Sequence, residues 1–127
     1  MQDKHLFEYA VIRVMPKVER EEFLNVGIIL YCPKQKFLET LFLVNEQRIV
    51  TFSAEIDIET LKANLSSFQR ITAAKEDSGP IGQYDMAARF RWLTATRSTV
   101  IQCSKVHPGF TANPQETLKK LFGDLVL

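Results

Sequence analysis

Between Phe7 and Val14 apolar side chains occupy both sides of an alternating pattern, with Phe7, Tyr9 and Val11 on one face and Ala10, Ile12 and Val14 on the other. Alternation with two apolar faces predicts a central β-strand. Arg13 falls on the Phe7 face near the strand's end, and Met15-Pro16 stops the pattern, because proline cannot donate to a ladder. Lys17 to Glu22 reads as a charged connection. Phe23 to Cys32 resumes as a strand, placing Val26, Ile28, Leu30 and Cys32 on one face and Asn25, Gly27, Ile29 and Tyr31 on the other. A glycine inside such a run marks a bulge or a close backbone approach. After the polar turn Pro33–Lys36, Phe37 to Val44 forms a third strand, and the three make an antiparallel meander.

Asn45 to Phe52 fits neither period cleanly. From Ile56 to Ile71 the spacing of Ile58, Leu61, Leu65 and Phe68 predicts a helix, with Ser53 or Asp57 as cap. Thr72 to Gln83 has the composition of a mobile loop, of a length often tied to binding or gating. A second helix is expected from Tyr84 to Leu93, where Met86, Phe90 and Leu93 form the apolar line. Arg89 borders that line, while Arg91 lies on the solvated side. Thr99 to Cys103 reads as a strand and His107-Pro-Gly109 as a turn. The last helix carries the clearest start signal: Asn113 as cap, Pro114 in the first turn and Glu116 completing a capping-box-like pair. Its buried stripe is Leu118, Leu121, Phe122 and Leu125. The fold class is therefore α+β in a single domain, 1–127: an antiparallel sheet of about four strands, covered by two or three helices, with the C-terminal helix docked on the core.

Composition narrows the function classes. With 127 residues, 46% hydrophobic and 24% charged, the chain can bury its own core. A net charge of +1 disfavours nucleic acid as a partner. No apolar run approaches the roughly 20 residues needed to span a bilayer, and the polar N-terminus is unlike a signal peptide. Cys32 and Cys103 have no redox or zinc spacing and are expected to be buried free thiols in a reducing cytoplasm.

Candidate chemistry gathers in Arg89-Phe-Arg-Trp-Leu-Thr-Ala-Thr-Arg97-Ser98 and His107-Pro-Gly109. Guanidinium forks match carboxylates and phosphates, and Arg13, Arg89 and Arg97 border apolar faces where a fixed counter-ion is needed. Glu8, Glu22 or Asp85 could equally serve as that counter-ion. Ser98 as nucleophile would need His107 as base, but no carboxylate is placed behind the histidine and no Gly-x-Ser-x-Gly elbow is present. Asn25 and Gly27 complete the candidate set, as an amide that could orient a ligand and a site of close approach. Two histidines and two distant cysteines make no metal site, and Gly79 and Gly82 make no phosphate loop. No cofactor is called for.

Tyr9-Ala-Val-Ile-Arg-Val-Met-Pro16 and Glu22-Phe-Leu-Asn-Val-Gly-Ile-Ile-Leu30, paired with the Arg89–Ser98 block, His107-Pro-Gly109 and the capped last helix, resemble a bacterial family of small proteins known as domain of unknown function 3037. The resemblance is weakest from Asn45 to Gly82, and Asn113 stands where the family pattern favours aspartate, an equally good cap. It implies a cytoplasmic bacterial protein with no established activity, often encoded near a HipA-like kinase gene. It also implies that Arg13, Asn25, Gly27, Arg89, Arg97, Ser98 and His107 belong to the motifs that define the family. The leading expectation is a non-enzymatic binding or regulatory module acting with a protein partner, a HipA-like kinase being the candidate. The rival is a phosphate- or nucleotide-handling enzyme whose arginines converge on one anion, with His107 or Ser98 moving protons. A third reading, nucleic-acid binding, requires a steep salt dependence.

Overall fold

The computed structural model describes residues 3–17, 20–75, 79–95 and 100–127. Five strands form one antiparallel sheet: β1 (His5–Val14), β2 (Leu24–Cys32), β3 (Phe37–Phe42), β4 (Ile101–Cys103) and β5 (His107–Thr111). Four helices accompany them: α1 (Glu46–Phe52), α2 (Ile58–Thr72), α3 (Met86–Thr94) and α4 (Pro114–Leu125). The sheet order is β3-β2-β1-β4, and β5 pairs with the remaining length of β1. The α+β class, the N-terminal meander and the C-terminal helix docked on the sheet are as expected, the described residues holding five strands and four α-helices.

β1 is central because both of its faces are apolar. Ala10, Ile12 and Val14 pack with Ile49, Leu61, Leu65, Phe68, Phe90 and Leu93, so α1, α2 and α3 cover that face. Phe7 and Val11 pack with Leu118 and Val126, so α4 covers the other. The helices thus lie on both sides of the sheet.

Gly27 explains a departure in β2. Ile12 pairs with Gly27 and Arg13 with Asn25, which leaves Val26 as the extra residue of a bulge. The bulge turns Val26 to the Ile29 and Tyr31 face, away from Ile28, Leu30 and Cys32, the face expected from simple alternation. On its other side Gly27 pairs with Phe42, and a Cβ there would lie 2.6 Å from the carbonyl oxygen of Leu41.

His107-Pro-Gly109 is strand and not turn. It opens β5, with Tyr9 opposite His107 and Phe7 opposite Gly109. The Phe7 ring lies over Gly109 so closely that a Cβ there would fall 2.6 Å from a ring carbon. The glycine therefore makes room for a core aromatic. Between β4 and β5 the ladder is patched by Ser104, whose Oγ accepts from the Val11 N–H at 2.9 Å and donates to the Lys105 carbonyl. Ser104→Ala would leave that buried N–H unpaired, at an expected cost of about 1–3 kcal/mol in a denaturant titration.

The helix starts are set by side chains. Asn45, Asp57, Asp85 and Asn113 each accept from a backbone N–H in the first turn, at Arg48, Thr60, Ala88 and Glu116. Asp57, not Ser53, therefore caps α2, and Asn45–Phe52 resolves as a capped short helix. Asn113→Ala is expected to lower the unfolding free energy by about 1 kcal/mol, read from the same titration. Of the two cysteines, both free, Cys32 is buried and Cys103 only partly so. In the stripe of α4, Leu118 is buried and Leu125 is exposed.

Candidate functional site

Arg13 sits opposite Asn25 on β2 and opposite Gln102 on β4. Directly opposed residues of antiparallel strands share a face, so three polar side chains form a row across three strands. The row lies on the α4 side of the sheet, the side of Phe7 and Val11. Gln102 is buried, which is unusual for an amide in a short strand. The Arg13 guanidinium carbon stands 3.9 Å from the centroid of the Phe23 ring, a cation–π stack that fixes its plane.

The row abuts the end of α4. The Asn25 amide donates to the Leu125 carbonyl at 3.0 Å, and Arg48 of α1 donates through Nη1 to the Val126 carbonyl at 3.1 Å. The last carbonyls of a helix have no partner within it and carry its negative dipole end, so amide and guanidinium donors there fasten α4 and favour positive charge nearby. Among the described residues neither Arg13 nor Arg48 has a carboxylate within ion-pair distance. The Nε of Arg13 and the Oδ1 of Asn25 are buried with no hydrogen-bond partner among those residues. Asn25 also borders a pocket of about 230 Å³ that opens between Leu24, Leu43, Arg48, Ile49, Val126 and Leu127.

The other sequence candidates lie elsewhere. Arg89 belongs to α3, which packs on the opposite face through Phe90 and Leu93. It is 8% exposed and donates through Nη1 to the Tyr84 carbonyl at 2.8 Å, tying the segment before α3 to the helix. Arg13 and Arg89 are therefore separated by the sheet and do not form one clamp. His107 lies on the Arg13 face, its ring 5.3 Å from that of Tyr9. Tyr9 precedes Arg13 by four positions, about 13 Å along the strand, so the histidine is outside the row. Gly27 serves the bulge. Arg97 and Ser98 lie outside the described residues.

The carboxylates named as alternative counter-ions are engaged away from Arg13 and Arg89. Glu22 pairs with Arg20, Asp85 caps α3, and Glu8 receives both forks of Arg91, at 2.9 and 2.7 Å. Arg91, set aside on the sequence as a surface residue, thus makes a forked pair. Its hydrogen bonds to Glu8 hold its pKa above the ordinary arginine value, against a smaller opposing effect of burial. A raised basic pKa stabilises the fold fully below the unfolded value and loses that contribution only above it, so the arginine side of this pair is insensitive to pH near neutrality. With Arg91 largely solvated, Glu8→Gln should cost under about 1 kcal/mol and cost less as salt rises.

Two residues of the site escaped sequence reading. Arg48 lies in the segment of ambiguous period, and its role appears only when α4 folds back across the sheet. Gln102 was readable as a polar residue inside an apolar strand, but its neighbour Arg13 is remote in sequence. Among the described residues no group of three or more His, Cys, Asp or Glu could hold a metal, and no helix is long and apolar enough to cross a membrane.

Comparison with known proteins adds a family. Residues 9–126 match the model of the family described as Protein of unknown function (DUF3037). The chain belongs to this family. No curated protein and no solved structure matches the sequence significantly. The DUF3037 match spans both ends of the candidate site, from Arg13 and Asn25 through Arg48 to Gln102 and the close of α4.

Proposed function

We propose that this DUF3037 protein is a non-enzymatic binding module that acts with a protein partner. The observation carrying this reading is the Arg13 guanidinium: stacked on the exposed Phe23 ring, set in a polar row, and lacking a carboxylate of its own among the described residues. An arginine held flat on an aromatic surface presents its forked edge to a carboxylate at little conformational cost, which is how arginine works at interfaces. The separation of Arg13 from Arg89 by the sheet weighs against an enzyme that closes both on one phosphate. The gene association that the family resemblance implies makes a HipA-like kinase the first partner to try, in the bacterial cytoplasm.

Co-expression of the full chain with a HipA-like kinase tests the reading. A co-eluting complex is expected, with Arg13→Gln weakening it about ten-fold or more and leaving the melting temperature of the free chain near that of the wild type. A clean failure to associate across low and moderate salt would overturn it.

A further inference from the structure

We infer that the outer edge of β3 is a docking site for an extended protein segment, which joins the sheet as a further strand between β3 and α2. β3 ends the sheet order β3-β2-β1-β4, so one side of it has no strand beside it among the described residues. One bond shows which backbone groups face that side. The Leu43 N–H donates to the Val26 carbonyl, continuing the register that sets Leu41 opposite Ile28 and Glu39 opposite Leu30. Bonded pairs alternate along an antiparallel ladder, so the N–H and C=O groups of Leu38, Thr40 and Phe42 point outward. Among the described residues the one group that reaches this row is the Gln69 side chain, whose Nε2 donates to the Thr40 carbonyl at 3.3 Å. A side-chain amide thus stands, at a long distance, where the N–H of a neighbouring strand would.

The opposite edge of the sheet is guarded. There the Met15 and Ser104 N–H groups bond the Val100 and Val11 carbonyls, so odd-numbered residues of β1 face β4 and β5. Phe7 and Tyr9 therefore bond Gly109 and His107, and Pro108, which has no N–H, is turned to the outside. β4 is three residues long. β3 by contrast offers six residues, about 20 Å of edge, with neither proline nor lysine among them. A groove of about 380 Å³ lies between that edge and the end of α2, with Gln69, Thr72 and Ala73 as its helical wall.

The row itself selects the occupant. Only another extended backbone presents donors and acceptors at the strand repeat, and a strand laid beside β3 meets the helical wall with its side chains. Phe37, Leu41 and Phe42 are only partly buried, so apolar or β-branched residues at alternate positions of the segment complete their cover. A second copy paired through its own β3 is a poorer fit. The two-fold axis of such a pair stands perpendicular to the sheet and would bring a second α2 to the side where the first already lies. The groove is two strands from Arg13, and it stands or falls apart from the partner reading above.

The test selects short random peptides displayed on phage against the immobilised full chain, then titrates the most enriched peptide, capped at both ends, into isotope-labelled protein. Apolar or β-branched residues at alternate positions are expected, with saturable shifts at the amides of Leu38, Thr40 and Phe42. Two N-methylated forms of that peptide, blocked at alternate sets of amides, then read the backbone directly. The form blocked on the side facing β3 should bind at least about ten-fold more weakly than the other, because it loses several hydrogen bonds. Ala73 is exposed, so Ala73→Trp closes the groove without entering the core. It should weaken the peptide at least about ten-fold and leave the melting temperature near that of the wild type. No enrichment, shifts centred away from β3, equal affinity of the two N-methylated forms, or full binding to Ala73→Trp would each overturn the inference. So would concentration-dependent shifts at Leu38, Thr40 and Phe42 without peptide, which would assign the edge to a second copy.

Discussion

Gly27→Ala is expected to destabilise the protein by about 3 kcal/mol, a large loss for the addition of one methyl group. The reason lies in two neighbours on opposite sides. Across one ladder Gly27 meets Ile12 at the bulge, and across the other it faces Phe42. A Cβ would lie 2.6 Å from the Leu41 carbonyl oxygen and 3.0 Å from the Phe42 Cβ, and the first of these is backbone that cannot rotate away. The β2–β3 hairpin must shift, and overpacking of this kind costs a few kcal/mol. The same shift would move Asn25, two residues away, off the Leu125 carbonyl. Chemical denaturation reads the energy, and a loss under about 1 kcal/mol would mean that β3 does not approach Gly27 as closely as the structure places it.

Phe90→Ala should cost about 3–5 kcal/mol. Phe90 is fully buried in α3, its ring 5.2 Å from that of Tyr31, on the face formed by Ala10, Ile12 and Val14. Truncation leaves a cavity between helix and sheet that two rigid elements cannot close. Phe90→Leu, which keeps most of the volume, should recover much of the loss. Equal melting of the two variants would count against the packing described.

Much of the architecture was written in local pattern. β1 announces itself by two apolar faces, α2 by its period, and α4 by Asn113, Pro114 and Glu116. The errors came where a local rule met a distant partner. His107-Pro-Gly109 carries turn residues, yet the glycine is there because the Phe7 ring needs the space, and β1 supplies the pairing. Val26 sits on the unexpected face because alternation cannot count through a bulge. Asn45–Phe52 lacked a clean period because only Ile49 of that helix is fully buried.

The candidate site was half legible for the same reason. Arg13 and Asn25 stood out as polar groups in apolar strands, and the register makes them neighbours. Arg48 and Gln102 join them only through contacts that span the chain. Arg89 has arginine's chemistry but spends it on the Tyr84 carbonyl, so its motif holds a helix in place on the far side of the sheet. Clustering in sequence pointed to the Arg89–Ser98 block, whereas the strand register draws Arg13, Asn25 and Gln102 into one candidate row on the α4 side of the sheet.

The most direct measurement is amide hydrogen exchange of the full chain, alone and with an excess of the proposed partner, a HipA-like kinase. The account predicts slowed exchange at residues 24–26, 43–49 and 125–127, with the amides of α2 and α3 unchanged. Protection confined to α2, α3 and β4 around Trp92, with the end of α4 exchanging as before, would contradict it.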